Sequence, residues 1–376
     1  MYSKIFTFKN LLKSYYQARA NKRTRRNLQK IELHFEDILI DLAYQLETFC
    51  YQPKPYHQFL VHEPKLRQIS APAFQDRIVQ HAIVNVIEPI FDKQFIPASF
   101  ACRKGKGNHK CLKATAKTYS QITQNHPRFY AFKSDIKSYF ASIDHQILIN
   151  LLSKSIRCQK TLKLLITIIN SYHKLPNKGI PIGNLTSQLF ANIYLHPLDI
   201  FVTKTLKVPN YFRYMDDFVI LSADKDYLID LREKIKAFAQ NELKLKLHPR
   251  KSNIFRADRG LDYVGFMIKP DGISMRKKTV RRYKKRHKKR LEKLQQLKQQ
   301  LKHLDNPVQP SLFADFAISN KDQKLKLKQK ISALKEKLRA SRNSFKGFLK
   351  YSQYKRLKTG GVEIGGIVVP KIFPKK

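Results

Sequence analysis

The chain has 376 residues, 42% of them hydrophobic, which is enough for two or three domains that each have their own core. Lys and Arg number 74 against 28 Asp and Glu, which gives a formal net charge of +46 at pH 7. Such an excess repels itself in a compact protein, and binding to a polyanion would relieve that repulsion. The composition therefore favours a nucleic acid as partner over an anionic membrane surface.

The sequence argues against a membrane or secreted protein. No uninterrupted apolar run approaches about 18 residues, and the opening segment MYSKIFTFKNLLKSYYQ lacks the apolar core of a secretory signal. The cysteines form no C-x-x-C pair and no zinc-type spacing with histidine: Cys50, Cys102, Cys111 and Cys158. We therefore predict free thiols, a reducing compartment and a cytoplasmic location without a membrane partner.

Residues 1–55 predict a basic, helical N-terminal extension. A basic patch, NKRTRR, occupies residues 21–26 and precedes an amphipathic run. Apolar residues recur in that run at helical spacing: Ile31, Phe35, Ile38, Leu42 and Leu46. Residues 52–72 hold prolines between short β-like pieces, which predicts a hairpin rather than a helix.

A helix and a basic loop are predicted next along the chain. The helix covers the strongly apolar residues 76–91, DRIVQHAIVNVIEPIF, and the loop leads into another helix within residues 101–117. The loop contains two glycines and several cations. Three of those cations are predicted to contact nucleic acid: Arg103, Lys104 and Lys106.

From about residue 128 to residue 275, strand signals alternate with helical ones, as in an α+β domain. The segment RFYAFKSDI predicts a strand with Asp135 at its end, on the face opposite Tyr130 and Phe132. Helices are predicted near 144–155, 159–172 and 226–242. Residues 261–275 predict a hairpin whose turn is the sequence PDG.

Past about residue 276 the chain consists of long basic helix-formers joined by a proline-containing linker at 305–320. A solvated coiled-coil arm would explain the part rich in Gln, Leu and Lys. It does not explain residues 276–290, where positive charge surrounds the helix without a nearby acidic partner. We predict a helical domain that lies along a phosphate backbone, with Arg281, Arg282 and Lys285 in contact with it.

The segment FRYMDDFVILS places Asp216 and Asp217 side by side between two β-prone runs. Adjacent like charges repel, and burying them is unfavourable unless a positive charge is near. A hairpin that merely uses Asp as a turn residue would explain the pair. A divalent-metal site would explain it equally well.

Asp135 is the third carboxylate that decides between these readings. Two-metal phosphoryl transfer needs oxygen ligands that hold two ions about 3.5–4 Å apart. Mg²⁺ prefers a few carboxylates, phosphate oxygens and water, and its charge offsets the repulsion between neighbouring acids. The metal site is therefore expected if the strand of Asp135 lies next to the hairpin of Asp216 and Asp217.

Three segments have the order and spacing of the palm motifs of reverse transcriptases: SDIKSYFASIDH (134–145), GIPIGNLTSQLFANIYLHPLD (179–199) and YMDD (214–217). IGN followed by LTSQ resembles the reverse transcriptases of diversity-generating retroelements. In related group II intron and retroviral enzymes, Gln-Gly stands where Ile182 and Gly183 stand here. DRIVQHAIVNVIEPIF and ACRKGKGNH resemble the finger segments of that family, so the resemblance covers about residues 50–275.

The resemblance implies a right-hand polymerase of the α+β class. Fingers and palm with an antiparallel palm sheet would occupy residues 56–275, and an all-helical basic thumb with a C-terminal tail would occupy 276–376. The implied activity is RNA-directed DNA polymerisation, in which a template RNA is copied into cDNA mutated at adenines for sequence diversification by mutagenic retrohoming. The implied partners are template RNA, the cDNA or primer strand, dNTPs and a small basic oligomeric accessory protein.

The resemblance also assigns the metal site and the residues around it. Asp135, Asp216 and Asp217, with the carbonyl of Ile136, would hold two Mg²⁺ ions, for which Mn²⁺ can substitute. Phe140 matches the steric gate that rejects a ribose 2′-hydroxyl, although a core aromatic would look the same in sequence.

Other positions would bind the nucleotide or the template. Lys65 and Arg67 would hold the triphosphate unless they are ordinary surface cations, and Lys251 matches a family lysine near it. Gly183 would let the backbone approach the nascent base pair, and Ser187 or Gln188 would start the next helix or contact the template. Ile182 lacks the hydrogen bonds of a Gln, which predicts looser base selection.

Two other readings remain. A group II intron-type reverse transcriptase would share the motifs, but no maturase or endonuclease domain and no zinc-type cysteine cluster is evident. A catalytically silent RNA-binding scaffold would share the fold, but unused clustered carboxylates would repel RNA.

Overall fold

The computed structural model describes residues 1–21, 26–62, 66–305, 314–352, 355–356, 362–364 and 367–369. It divides into two compact units, Met1–Ala257 and Asp258–Lys376. Most of the patch at 21–26, Lys65, the middle of the linker at 305–320 and most of the tail lie outside the described residues. In the described residues no helix is both long and apolar enough to span a bilayer.

The first unit contains eleven helices in the residues described, and one π-helical turn at Phe201–Thr205 directly after the tenth. The helices are α1 (Ser3–Phe6), α2 (Phe8–Arg19), α3 (Arg26–Glu32), α4 (Phe35–Glu47), α5 (Phe74–Asp92), α6 (Asn108–Asn125), α7 (Tyr139–Ser142), α8 (His145–Ser153), α9 (Gln159–Asn170), α10 (Leu185–Ile200) and α11 (Lys225–Asn241). Its strands are β1 (His57–Val61), β2 (Arg67–Ala71), β3 (Tyr130–Asp135), β4 (Tyr211–Tyr214), β5 (Asp217–Ser222) and β6 (Asn253–Arg256).

The N-terminal helices pack on α5, the apolar helix predicted at 76–91. The amphipathic run from Ile31 to Leu46 is divided, because α3 ends at Glu32 and α4 begins at Phe35. The break lets the Phe35 ring stack on Tyr15, with 5.0 Å between ring centroids. β1 and β2 form the antiparallel hairpin predicted for residues 52–72.

The central sheet has the strand order β4-β5-β3-β6, and every pair is antiparallel. Helix α11 packs against β3 and β5, and α6 packs against β4. Both faces of β3 carry buried residues, since Phe132 and Ala131 are each fully buried. The predicted contrast between an apolar face and the Asp135 face therefore holds only at the end of the strand, where Lys133 and Asp135 are half-buried.

A fully buried ion pair ties β4 to α10. The Arg213 guanidinium donates hydrogen bonds of 2.6 and 2.5 Å to the two carboxylate oxygens of Asp199, and both side chains are 0% exposed. The Tyr211 hydroxyl donates to Asp199 at 2.8 Å, and Arg213 also donates to the Asn192 side chain at 3.1 Å. With these bonds the charges are satisfied without water, as buried charges require.

The second unit begins with a three-stranded antiparallel sheet, β7 (Leu261–Tyr263), β8 (Phe266–Lys269) and β9 (Gly272–Met275). Two long helices follow, α12 (Lys277–Asp305) and α13 (Ala314–Leu349), and then three short strands, β10 (Lys355–Arg356), β11 (Val362–Ile364) and β12 (Ile367–Val369). The unit is thus not all helical, and it starts before residue 276. Phe266 stacks on Phe348 of α13 at 5.5 Å between ring centroids, which joins the sheet to the helices of the same unit.

Helix α12 is not cationic on all sides, contrary to the prediction for 276–290. Val280, Tyr283 and His287 are buried at a spacing of three and four residues. The Tyr283 ring lies parallel to Phe345 of α13, 3.7 Å between centroids. This aromatic stripe among the cations gives the helix one face that packs and leaves the others for solvent or phosphate.

The buried pair predicts the effect of Arg213→Met on stability. The substitution leaves the Asp199 carboxylate buried without its cation, which is expected to lower the free energy of unfolding by about 3–5 kcal/mol. Urea denaturation measures this change. Arg232→Met is the control, because Arg232 pairs with Glu233 on the surface, where such pairs contribute about 0–1 kcal/mol. Equal losses of unfolding free energy in Arg213→Met and Arg232→Met would contradict the stabilising role of the buried pair.

Candidate active site

The central sheet brings the three predicted carboxylates to one edge. Asp135, the last residue of β3, lies directly opposite Asp217, the first residue of β5. Asp216 lies in the two-residue turn between β4 and β5, and the Ile136 N–H donates to its carbonyl oxygen at 3.3 Å. The side chains of Asp216 and Asp135 are within hydrogen-bonding distance of each other. The strand end and the turn therefore form one acidic cluster.

The turn that carries Asp216 has an unusual backbone. Met215 has φ of +60°, a left-handed conformation that tight hairpin turns normally assign to glycine. The Arg213 guanidinium donates a 3.0 Å hydrogen bond to the Met215 carbonyl. The buried Arg213–Asp199 pair thus supports the strained residue directly before the acidic pair.

The protonation of Asp216 reflects its surroundings. Burial raises its pKa to about 7, and the charge of Asp135, its hydrogen bond to Asp135 and the charge of Asp217 act in the same direction. Near neutral pH this carboxyl group keeps a proton for much of the time unless a cation offsets the negative charge around it. A metal ion bound to the cluster would offset the negative charge that the three carboxylates bring together, so the cluster favours metal binding.

Two lysines already lie against the other two acids. The Lys251 ammonium contacts the Asp135 carboxylate, and the Lys133 Nζ lies 3.6 Å from Asp217 Oδ2. The two pairs share a cavity of about 260 Å³ that is lined by Lys133, Asp135, Asp217, Lys251, Asn253 and Phe255. Sequence reasoning included Lys251 but missed Lys133, which stands two residues before Asp135 and so on the same strand face.

The donor set fits a hard divalent cation. All three side chains offer carboxylate oxygens, which are the ligands that Mg²⁺ and Mn²⁺ accept. The pKa of Asp216 is raised first by burial and then by the neighbouring acids, and a bound cation would offset both effects. Among the described residues no three His, Cys, Asp or Glu side chains are yet grouped so that they could hold one ion. In this arrangement the Asp135 and Asp217 carboxylates each have a lysine ammonium beside them.

Backbone hydrogen bonds connect Phe140 to the segment 180–183 and that segment to β2. Phe140 is half-buried, and its carbonyl accepts a 2.8 Å hydrogen bond from the Ile180 N–H. The Ile182 carbonyl in turn accepts from the Ser70 N–H of β2 at 3.3 Å. The segment therefore connects Phe140 to the β1–β2 hairpin, and the steric-gate role of Phe140 stays a prediction.

Gly183 has φ of +116°, and a Cβ at that position would lie 3.1 Å from Ile69 Cγ2 of β2. A side chain there would therefore be strained and crowded. Beside it lies a cavity of about 750 Å³ whose lining includes His57, Phe59 and Gly183. Arg67 begins β2 and is exposed.

Two predictions for this region need correction. Helix α10 begins at Leu185 after Asn184, so neither Ser187 nor Gln188 starts it. Ser187 is only 1% exposed, which leaves it too buried to contact a template, whereas Gln188 is half-buried. Ser187 lies on the buried side of the first turn of α10, which also carries the buried residues Thr186 and Leu189.

Arg103 also serves the fold rather than nucleic acid. Its guanidinium donates to the Asp92 carboxylate and to the carbonyls of Ile96, Ser99 and Asp92, and the side chain is only 7% exposed. Lys106 donates to the Pro97 carbonyl at 2.9 Å, whereas Lys104 contacts Glu88 and remains 77% exposed. The loop uses its cations first to hold its own shape, so the prediction for Arg103 is not supported.

In the second unit the predicted phosphate contacts flank the buried stripe of α12. Arg281 and Lys285 are exposed, and Arg282 is half-buried. Their contact with nucleic acid stays a prediction.

The raised pKa predicts how stability depends on pH without metal. In EDTA, the folded protein keeps the Asp216 proton up to about pH 7, whereas the unfolded chain loses it near pH 3.8. The folded state then binds more protons inside that window, so stability falls as the pH rises through it. Asp216→Asn should therefore raise the melting temperature in EDTA at pH 8 and leave it nearly unchanged at pH 4.

Differential scanning fluorimetry at the two pH values measures both temperatures. Asp230→Asn is the control, because Asp230 is exposed and pairs with Lys234 on α11. A melting temperature for Asp216→Asn that stays at or below the wild-type value at pH 8 would contradict the burial of an unfavourable charge.

Comparisons with known proteins identify the family of the chain. Residues 53–268 match the family model described as reverse transcriptase (RNA-dependent DNA polymerase). The group II intron-encoded protein LtrA of Lactococcus lactis subsp. cremoris is 24% identical over 306 residues, which cover 62% of this chain and 50% of that protein. Protein YkfC of Escherichia coli (strain K12) is 25% identical over 258 residues, covering 58% of this chain and 68% of that protein.

A telomerase structure from Candida tropicalis, solved with a fragment of telomeric RNA, aligns with 84% of this chain and 59% of its own, at 11% identity and a TM-score of 0.45. That score is too low to define a common topology. The chain spans about half the length of LtrA. The family match covers more than half of the chain and contains all three carboxylates. The chain belongs to the reverse transcriptase family, with homology to the group II intron-encoded enzymes.

Proposed function

We propose that this chain is an RNA-directed DNA polymerase that copies a template RNA into cDNA. The observation that carries the proposal is the acidic cluster: Asp135 opposite Asp217 across two paired strands, with Asp216 hydrogen-bonded to Asp135. Family membership supports it, as does the net charge of +46, which suits a protein that holds two nucleic acid strands.

The carboxylates of Asp135, Asp216 and Asp217, with the Ile136 carbonyl, would hold two Mg²⁺ ions, or Mn²⁺ in their place. Bound there, the ions supply the charge that helps to deprotonate the primer 3′-hydroxyl and to stabilise the leaving pyrophosphate. The buried Arg213 network keeps the Met215–Asp216 turn in place, so that the ligands are held before substrate arrives.

The remaining residues bind and select the substrates. Lys65, Arg67 and Lys251 bind the triphosphate of the incoming dNTP through their charge. The Phe140 ring excludes a 2′-hydroxyl, and Gly183 lets the backbone approach the new base pair. Gln188 contacts the template strand.

Cations outside the catalytic cluster would hold the nucleic acid backbone. Lys104 and Lys106 of the first unit and Arg281, Arg282 and Lys285 of α12 contact backbone phosphates of the template and the primer. The proposal includes the right-hand division of such polymerases into fingers, palm and thumb.

We further infer that the enzyme is the polymerase of a diversity-generating retroelement, with mutagenic copying of template adenines and a small basic oligomeric accessory protein. Ile182 supports this subclass, because it stands where the related enzymes have Gln. It is half-buried and tied to β2 through the Ser70 N–H. The similarity to LtrA favours the second candidate, a group II intron-type reverse transcriptase.

A primer-extension assay tests the polymerase. The purified full chain, a primed RNA template, dNTPs and Mg²⁺ should give extension that Asp216→Asn lowers at least about 100-fold, because a metal ligand is lost. The exposed Asp230→Asn variant is the control and should retain extension. Tight RNA binding without synthesis by the wild type would instead support the RNA-binding scaffold.

Substitution of Ile182 tests the subclass. Ile182→Gln should lower misincorporation opposite template adenines about 3- to 10-fold, because one added hydrogen bond contributes about 1 kcal/mol to discrimination. Sequencing of the cDNA gives the error rate, and Ile182→Leu, which adds no hydrogen-bonding group, should keep it. An unchanged error rate in the Gln variant would count against mutagenic copying through this residue.

A further inference from the structure

Lys133 faces the acidic cluster from the central strand of the sheet. It occupies β3, which pairs with β5 on one side and β6 on the other, so its backbone position is fixed by two ladders. Its side chain is 22% exposed and runs along the face that also bears Asp135 and Asp217. The Nζ lies 3.6 Å from Asp217 Oδ2.

The pair differs from an ordinary surface salt bridge in what surrounds it. The same cavity of about 260 Å³ contains the contact between Lys251 and Asp135. Lys133 and Lys251 together therefore offset two of the three carboxylate charges of the cluster. Without them, the carboxylates of Asp135 and Asp217, which lie opposite each other on paired strands, would lose the two cations beside them and repel each other more strongly.

Any divalent cation that uses Asp217 must compete with the Lys133 ammonium. Both are attracted by the same oxygens, and each repels the other, since like charges a few ångströms apart interact measurably even at high effective dielectric. The repulsion acts twice as strongly on a doubly charged ion. Lys133 therefore lowers the affinity for metal while it stabilises the metal-free cluster.

We propose that Lys133 is a positioning residue that acts as the built-in counter-ion of Asp217: it holds this carboxylate in the metal-free protein and is displaced when a divalent cation binds. The inference rests on the proposed metal site of the preceding subsection. Once displaced, the ammonium remains beside the site as a cation able to meet a phosphate group. The charge that the site presents to its substrates therefore depends on whether metal is bound, because Lys133 is paired with Asp217 only in the metal-free protein.

Direct metal binding tests the inference without any polymerase assay. The full chain, free of nucleic acid and at low ionic strength, is titrated with Mn²⁺, and the unbound ion is followed by electron paramagnetic resonance. Lys133→Met should bind Mn²⁺ about 3- to 10-fold more tightly than the wild type, because one repelling charge is gone. Lys133→Arg keeps the charge and should remain within about 2-fold of the wild type.

A matched control removes a paired lysine elsewhere. Lys234→Met deletes the partner of Asp230 on α11 and lowers the net charge by the same amount, so it should leave Mn²⁺ affinity unchanged. Thermal melting gives a second readout: in EDTA, Lys133→Met should melt below the wild type, and Mn²⁺ should raise its melting temperature by more.

Mn²⁺ affinity that is unchanged or weaker in Lys133→Met, with the fold intact by circular dichroism, would overturn the counter-ion role and leave the proposed metal site standing. An equal gain in Lys234→Met would also overturn it, because the effect would then be one of net charge. The absence of Mn²⁺ binding in the wild type and every variant would overturn the metal site and the inference with it.

Discussion

The ion pair between Arg213 and Asp199 is the interaction on which the site depends. It is fully buried, it joins β4 to α10, and Tyr211 and Asn192 add hydrogen bonds to it. Because the same guanidinium also bonds the Met215 carbonyl, the core is linked directly to the turn that bears Asp216. The buried charges are tolerated because they are paired and hydrogen-bonded. The pair in turn fixes the backbone beside the charged residues Asp216 and Asp217.

The acidic cluster shows how a fold can concentrate like charges on a protein dominated by the opposite sign. The antiparallel register sets Asp135 against Asp217, and the turn adds Asp216. Burial raises the pKa of Asp216 to about 7, while lysines attend the other two carboxylates. The carboxylates of the site can thus attract a divalent ion, while the proton on Asp216 and the two lysines limit the repulsion between the acids before an ion binds.

The elements that follow from short-range pattern were predictable, and those that follow from packing were not. Period-two alternation placed Asp135 at a strand end, and the turn sequence placed Asp216 and Asp217 in a hairpin. Nothing local distinguishes Arg103, which is enclosed by carbonyls, from the exposed Lys104 one residue later. The buried positions of Tyr283 and His287 were likewise not predicted. They stand within a dense run of cations, and their four-residue spacing defines a buried face only because Phe345 of α13 packs against Tyr283.

The hydrogen bond between the Ser70 N–H and the Ile182 carbonyl, together with the 3.1 Å approach that a Cβ on Gly183 would make to Ile69, has a mechanical consequence. The bond sets the register between strand β2 and the 180–183 segment, and the close approach leaves no room for a side chain at residue 183. A displacement of β2 would have to break that bond or move the 180–183 segment with it, and this segment is bonded to the Phe140 carbonyl through the Ile180 N–H.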